Sequence, residues 1–140
     1  FEKLAQEYDI LSQVCFTGNL TREEVYRYMG EADIFIMPSV EETLGLVYLE
    51  AMMNGCITVG TKGEGIDGII KDGENGFLVE PNSQESVVET MKRILQLSDD
   101  EVKHISIAAT ETGREFNEPD MAKRYLNRIR QVVREKGGNA

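Results

Sequence analysis

The sequence predicts an α/β fold in three layers, with a parallel sheet between two sets of helices. Three observations carry this. Short apolar runs at residues 14–17, 33–37, 56–60 and 77–79 have the length and composition of buried strands. Helical patterns separate the first three of them, so their connections read as the crossovers that parallel neighbours require. Helix start and stop signals stand at the expected joins.

Taken in order, residues 1–8 form the tail of a helix, with Leu4, Ala5 and Tyr8 on one face. A helix without its beginning suggests a piece of a longer polypeptide. Residues 14–17 give a strand closed by Gly18 and Asn19. Thr21 and Glu24 make a capping box, and Val25, Tyr28 and Met29 form the inner face of the helix it starts. Residues 33–37 are the next strand. A helix from Gly45 to Met53 ends at Asn54 and Gly55, a good C-terminal stop. Residues 56–60 are another strand.

Residues 61–76 are glycine-rich and read as a loop, a short helical turn over 67–70 and a tight turn before the strand at 77–79. Ser83 caps a helix whose inner face is Val87, Val88, Met91, Ile94 and Leu95. Ser98 and Glu101 form a second capping box, ahead of Val102, Ile105 and Ala109. Pro119 opens a last helix with Met121, Tyr125, Leu126, Ile129, Val132 and Val133 in one stripe, and residues 137–140 fray.

The 140 residues suffice for one core, so a single domain over 1–140 is expected. The 41% hydrophobic and 29% charged fractions are those of an ordinary soluble protein, and no apolar run approaches the ~20 residues of a membrane span. Cys15 and Cys56 lie in apolar runs without metal-ligand spacing, so both are expected as buried thiols in a reducing, cytoplasmic setting. The net charge of −10 argues against nucleic acid and anionic membranes as partners. The only histidine, His104, is expected to be solvated.

Residues 38–55 carry the chemistry. A strand ends, an acidic loop holds Glu41, Glu42 and Thr43, and a helix opens at Gly45 and Leu46, with Glu50 eight positions after Glu42. A helix start suits phosphate, because its N–H groups lack partners and the dipole is positive there. A carboxylate suits the vicinal hydroxyls of a sugar. Open parallel sheets bind ligands beyond the carboxyl ends of their strands, which brings residues 38–45 and 61–66, with Lys62, toward one crevice. Against this stand plainer alternatives. Glu41 fits a solvated loop, Lys62 fits an exposed lysine, and Glu50 on an isolated helix fits an exposed face.

Pro38 and Ser39, then Glu42, Leu44, Gly45, Leu46, Leu49, Glu50, Ala51 and Met52, resemble the signature of the group 1 glycosyltransferases, retaining enzymes of the GT-B type. Two glutamates with seven residues between them mark that signature, and Glu42 and Glu50 match it. The likeness continues through Gly55, Gly65, Ile66 and residues 72–79. It implies a Rossmann-like α/β/α domain, one half of a GT-B fold, with C-terminal helices added. By that resemblance Glu42 is the catalytic-face glutamate that meets the donor sugar, and Glu50 holds the ribose. Backbone around Leu44, Gly45 and Leu46 faces the diphosphate, with Lys62, Gly65 and Ile66 also at the donor. The donor is a UDP- or GDP-linked sugar, no metal ion is expected, and the phosphate of the donor takes the acceptor proton.

The resemblance also implies what this stretch lacks. The basic Arg and Lys of the family, which neutralise the diphosphate, and its acceptor domain lie upstream of Phe1. The chain is therefore expected to be a truncated donor domain, inactive alone, with any membrane association residing in the missing domain. It is also expected to be open to dimerisation through surfaces left uncovered. The usual Gly-Gly-hydrophobic-Pro-Glu turn appears as residues 63–68 without its glutamate, which leaves the base or ribose contact there open. Two alternatives share the fold: a nucleotide-sugar 2-epimerase and a non-catalytic α/β interaction module.

Overall fold

The computed structural model describes residues 1–43 and 45–116. Three parallel strands form one sheet in the order β1 (Ile34–Ile36), β2 (Ile57–Thr61), β3 (Phe77–Val79). Ile34 pairs with Ile57 and Ile36 with Val59, while Val59 and Thr61 pair on the other side with Phe77 and Val79. Every residue of the central strand β2 is buried.

Strand alternation sorts these side chains onto two faces. Ile34, Ile57, Val59, Phe77 and Val79 share a core with Ile94 and Ile105. Helix α4 (Gln84–Leu95) and the N-terminal half of α5 (Asp99–Glu115) therefore cover that face. Phe35 and Leu78 turn the other way, toward Tyr48, Leu49 and Met52 of α3 (Leu46–Met53) and toward Ile66, Ile70 and Ala109. Outside α3 lies α2 (Arg22–Glu31), whose Met29 closes over Ala51 and Cys56. The three-layer architecture expected from the sequence is present. A short N-terminal helix, α1 (Glu2–Glu7), buries Ala5 alone.

Local signals explain the helix starts. Thr21 and Ser98 each accept an N–H from the glutamate three residues on, and each glutamate returns to the cap backbone. Those bonds hold the Glu24 and Glu101 carboxyls below the ordinary carboxylate range. Ser83 caps α4 by accepting from the Ser86 N–H. Helices α3 and α5 meet at Gly113, where an added Cβ would lie 2.8 Å from the Met53 side chain and 3.0 Å from the Leu49 carbonyl.

Several expectations change. Residues 14–17 pair with no described strand, and Val14 and Phe16 stay exposed. An apolar, extended run becomes a strand only through a ladder that satisfies its backbone. Cys15 is exposed along with it, whereas Cys56 is buried and directs its thiol to the Met29 carbonyl at 3.0 Å. Residues 67–70 form consecutive turns with a lone bridge between Asp67 and Ile70, because Gly68 at φ +95° cannot continue a helix. Val88 and Leu95 of α4 are exposed, since Val87, Thr90, Met91 and Ile94 take the inner face, and Tyr28 is half in solvent. The helix expected after Pro119 and the fray at 137–140 lie outside the described residues, as does Leu44.

Candidate functional site

Because the strands are parallel, the loops after β1 and β2 leave the same edge of the sheet. They are tied to each other through one residue. The Glu42 N–H donates to the Glu64 carboxylate at 2.7 Å, and the Gly65 N–H donates to the Glu42 carbonyl at 3.1 Å. Both backbone groups of Glu42 are thereby used, while its half-buried carboxylate accepts no hydrogen bond from the described residues.

Gly45 follows in the left-handed region at φ +63° and serves as N-cap of α3 without a side-chain cap. The Tyr48 ring lies against it, so close that an added Cβ would sit 2.5 Å from the ring. The buried Tyr48 hydroxyl donates to the Met37 carbonyl at 2.5 Å, pinning α3 to the end of β1. Burial pushes the Tyr48 phenol up, and the Glu42 and Glu64 carboxylates push it further. An eight-residue helix thus opens on the crevice without a side-chain cap, a position that suits an anion.

Glu50 stands one turn into α3 with a quarter of its side chain exposed. Its Oε1 accepts the Tyr26 hydroxyl at 2.7 Å and Arg22 Nη2 at 3.2 Å. Arg22 also donates Nη2 and Nε to the Tyr26 oxygen at 2.7 and 3.0 Å, with its guanidinium over the Tyr26 ring. The tyrosine oxygen, followed by the carboxylate, keeps Arg22 firmly protonated.

The remaining expected site residues divide. Gly65 joins Glu42 as described. Ile66 is wholly buried with its side chain against Gly60, so it presents no surface to the crevice. Lys62 forms an exposed ion pair with Glu80, on the loop after β3. That glutamate, with Pro38, Asn82, Ser83, Gln84 and Val87, lines a cavity of about 300 Å³ at the same edge of the sheet. A second cavity, of about 420 Å³, lies among Phe77, Arg93, Leu97 and His104 and shares no lining residue with the first. His104 is exposed at its rim, as expected.

Sequence reasoning missed Tyr48, Glu64, Tyr26 and Arg22. The last two carried a weak signal, being four apart on a helix and hence on one face. Among the described residues, no three His, Cys, Asp or Glu side chains gather as metal ligands, and no helix is long and apolar enough to cross a membrane.

A family described as "Glycosyl transferases group 1" matches residues 1–112. Sucrose-phosphate synthase 1 of Arabidopsis thaliana is 33% identical over 135 residues, which cover 91% of this chain and 12% of that protein. The solved sucrose-phosphate synthase of Thermosynechococcus elongatus superposes with a TM-score of 0.79 at 27% identity, over 94% of this chain and 33% of the other. HepE of Anabaena, solved in complex with UDP and glucose, gives 0.78 at 18% identity, over 93% and 35%. The chain thus spans about a third or less of the length of each of these three proteins.

Proposed function

The chain belongs to the group 1 glycosyltransferases, and we propose that it is the donor-binding part of an enzyme that transfers a sugar from a nucleoside diphosphate with retention of configuration. Its sheet and flanking helices have the fold of GT-B glycosyltransferases. One observation carries the reading: the loops after β1 and β2 are joined at Glu42, three residues before the start of α3, which lacks a side-chain cap. A carboxylate for sugar hydroxyls and N–H groups for phosphate then face one crevice.

In this reading the backbone at Leu44, Gly45 and Leu46 receives the diphosphate, and Glu50 accepts the ribose hydroxyls. Glu42 accepts from the donor sugar beside its anomeric carbon. The bond from that carbon to the phosphate oxygen breaks as the acceptor oxygen bonds on the same face. The acceptor proton passes to the departing phosphate oxygen, and the products are a glycoside and a nucleoside diphosphate. No step calls for a metal ion. Lys62 is committed to Glu80 and the chain carries a net charge of −10, and in this reading the compensating cations come from the rest of the intact protein. So does the acceptor site, and the reaction is assigned to the cytoplasm.

The test uses the intact protein with UDP- and GDP-linked sugars. Glu42→Gln is expected to lower kcat by about a hundredfold or more, as for loss of a group acting at the reacting carbon. Full transferase activity in a Glu42→Gln, Glu50→Gln double variant would sink the roles given to these glutamates, absence of transfer by the wild-type protein would favour an interaction module, and an epimerised nucleotide sugar would replace the proposal with an epimerase. This chain alone is expected to be inactive and to bind donor weakly. Sub-micromolar binding by calorimetry contradicts that part.

A further inference from the structure

The Glu50 carboxylate is held on one side only. Oε1 takes both the Tyr26 hydroxyl and Arg22 Nη2, while no described residue hydrogen-bonds Oε2. The arrangement is a relay: Arg22 donates twice to the Tyr26 oxygen, which leaves the phenol proton directed at Glu50. A hydroxyl whose lone pairs are filled by a guanidinium is a strengthened donor, because linked hydrogen bonds polarise one another.

Topology places this relay at the crevice. Helix α2 runs into the start of β1 and α3 into the start of β2, so both helices begin at the carboxyl edge of the parallel sheet. Arg22 is the first residue of α2, Tyr26 lies one turn in, and Glu50 lies one turn into α3. Arg22 is three-quarters exposed, yet it is spent on internal bonds to Tyr26 and Glu50. Such an exposed pair contributes little stability by itself. Its effect is to fix a rotamer.

We propose that Tyr26, supported by Arg22, is a positioning residue that locks Glu50 by Oε1 and presents Oε2 to the ribose hydroxyls of the nucleotide. This rests on the donor-binding reading above and extends it to specificity for ribose over deoxyribose. A carboxylate free to rotate would lose that preference, because the missing 2′-hydroxyl penalises only a site already aimed at it.

The experiment measures, on the intact protein, the affinity ratio between UDP and 2′-deoxy-UDP, and between the guanosine counterparts. Wild type is expected to prefer ribose by about ten- to a hundredfold, the scale of a hydrogen bond to a charged group. Glu50→Gln should abolish most of that preference. Tyr26→Phe, which deletes one oxygen, should reduce it about five- to tenfold, and Arg22→Ala should reduce it less. A structural role alone would lower both affinities together and leave the ratio unchanged. Ribose preference lost in Glu50→Gln but intact in Tyr26→Phe and Arg22→Ala overturns this inference and leaves the donor reading standing. No ribose preference in wild type, or none lost in Glu50→Gln, overturns the Glu50 assignment and the inference with it. Should Tyr26→Phe fail to fold, the ratio in Arg22→Ala, at an exposed position, decides alone.

Discussion

Glu64 and Glu42 belong to different loops, yet the Glu64 carboxylate accepts the Glu42 N–H at 2.7 Å. Two carboxylates on loops that meet at one crevice would ordinarily repel. Here one of them is spent on a backbone amide, so it orients its neighbour's main chain, and the Gly65 N–H to the Glu42 carbonyl completes the link. The Glu42 main chain is held by a residue that lies 22 positions away.

Glu64→Ala therefore should act on catalysis more than on folding. Loss of one charge-assisted bond frees the Glu42 loop, and kcat/KM for donor is expected to fall about tenfold or more. Thermal unfolding should move by only a few degrees. Unchanged kinetics with a large loss of stability would show that the bond is merely structural.

Gly45→Ala meets two obstacles at once. The new side chain would need φ +63°, and its Cβ would lie 2.5 Å from the Tyr48 ring. Left-handed strain costs roughly 1–2 kcal/mol and overpacking adds about as much. Calorimetric unfolding should show a Tm lower by about 5–10 °C. A wild-type Tm in this variant would mean that the α3 start is adaptable.

Tyr48 links stability to alkaline pH. Its ordinary value is 10.0, and burial, aided by Glu42 and Glu64, raises the folded value. Stability is then complete below about pH 10 and declines as pH rises, because the unfolded chain releases the phenolic proton first. Tyr48→Phe should flatten that alkaline decline. At pH 7 it should cost about 1 kcal/mol, because the Met37 carbonyl keeps the Ser39 N–H at 2.8 Å. Denaturant unfolding at pH 7 and above pH 10 checks both parts.

Gly113→Ala tests the α3–α5 contact. Its Cβ would press on the Met53 side chain and amide and on the Leu49 carbonyl. Overpacking of about 1–3 kcal/mol is expected, readable as a shift in denaturant midpoint. Donor affinity should be unchanged, since Gly113 faces the helix interface.

Signals that act within a few residues were legible. Thr21 with Glu24, and Ser98 with Glu101, formed their capping boxes, because cap and partner are three positions apart and need no tertiary help. The apolar runs at β1, β2 and β3 were found by composition. The run at residues 14–17 has the same composition, but a strand is a pairing, and no described strand supplies one. The exposure of Cys15, Val88 and Leu95 followed from the same limit, since an apolar residue is buried only where another element covers it.

By itself the sequence determined the parallel α/β layering, the helix starts and the chemical character of residues 38–55, where Glu42, Gly45 and Glu50 stand at meaningful spacing. Only the tertiary structure decided which groups hold them. Glu64 reaches Glu42, Tyr48 underlies Gly45, and Tyr26 with Arg22 grips Glu50. Two of these pairings join residues 22 to 28 positions apart, separations over which periodicity carries no information. Hydrogen bonds weaken steeply within an ångström of their ideal length. Such bonds therefore form only after packing against the sheet has set each helix and loop in place.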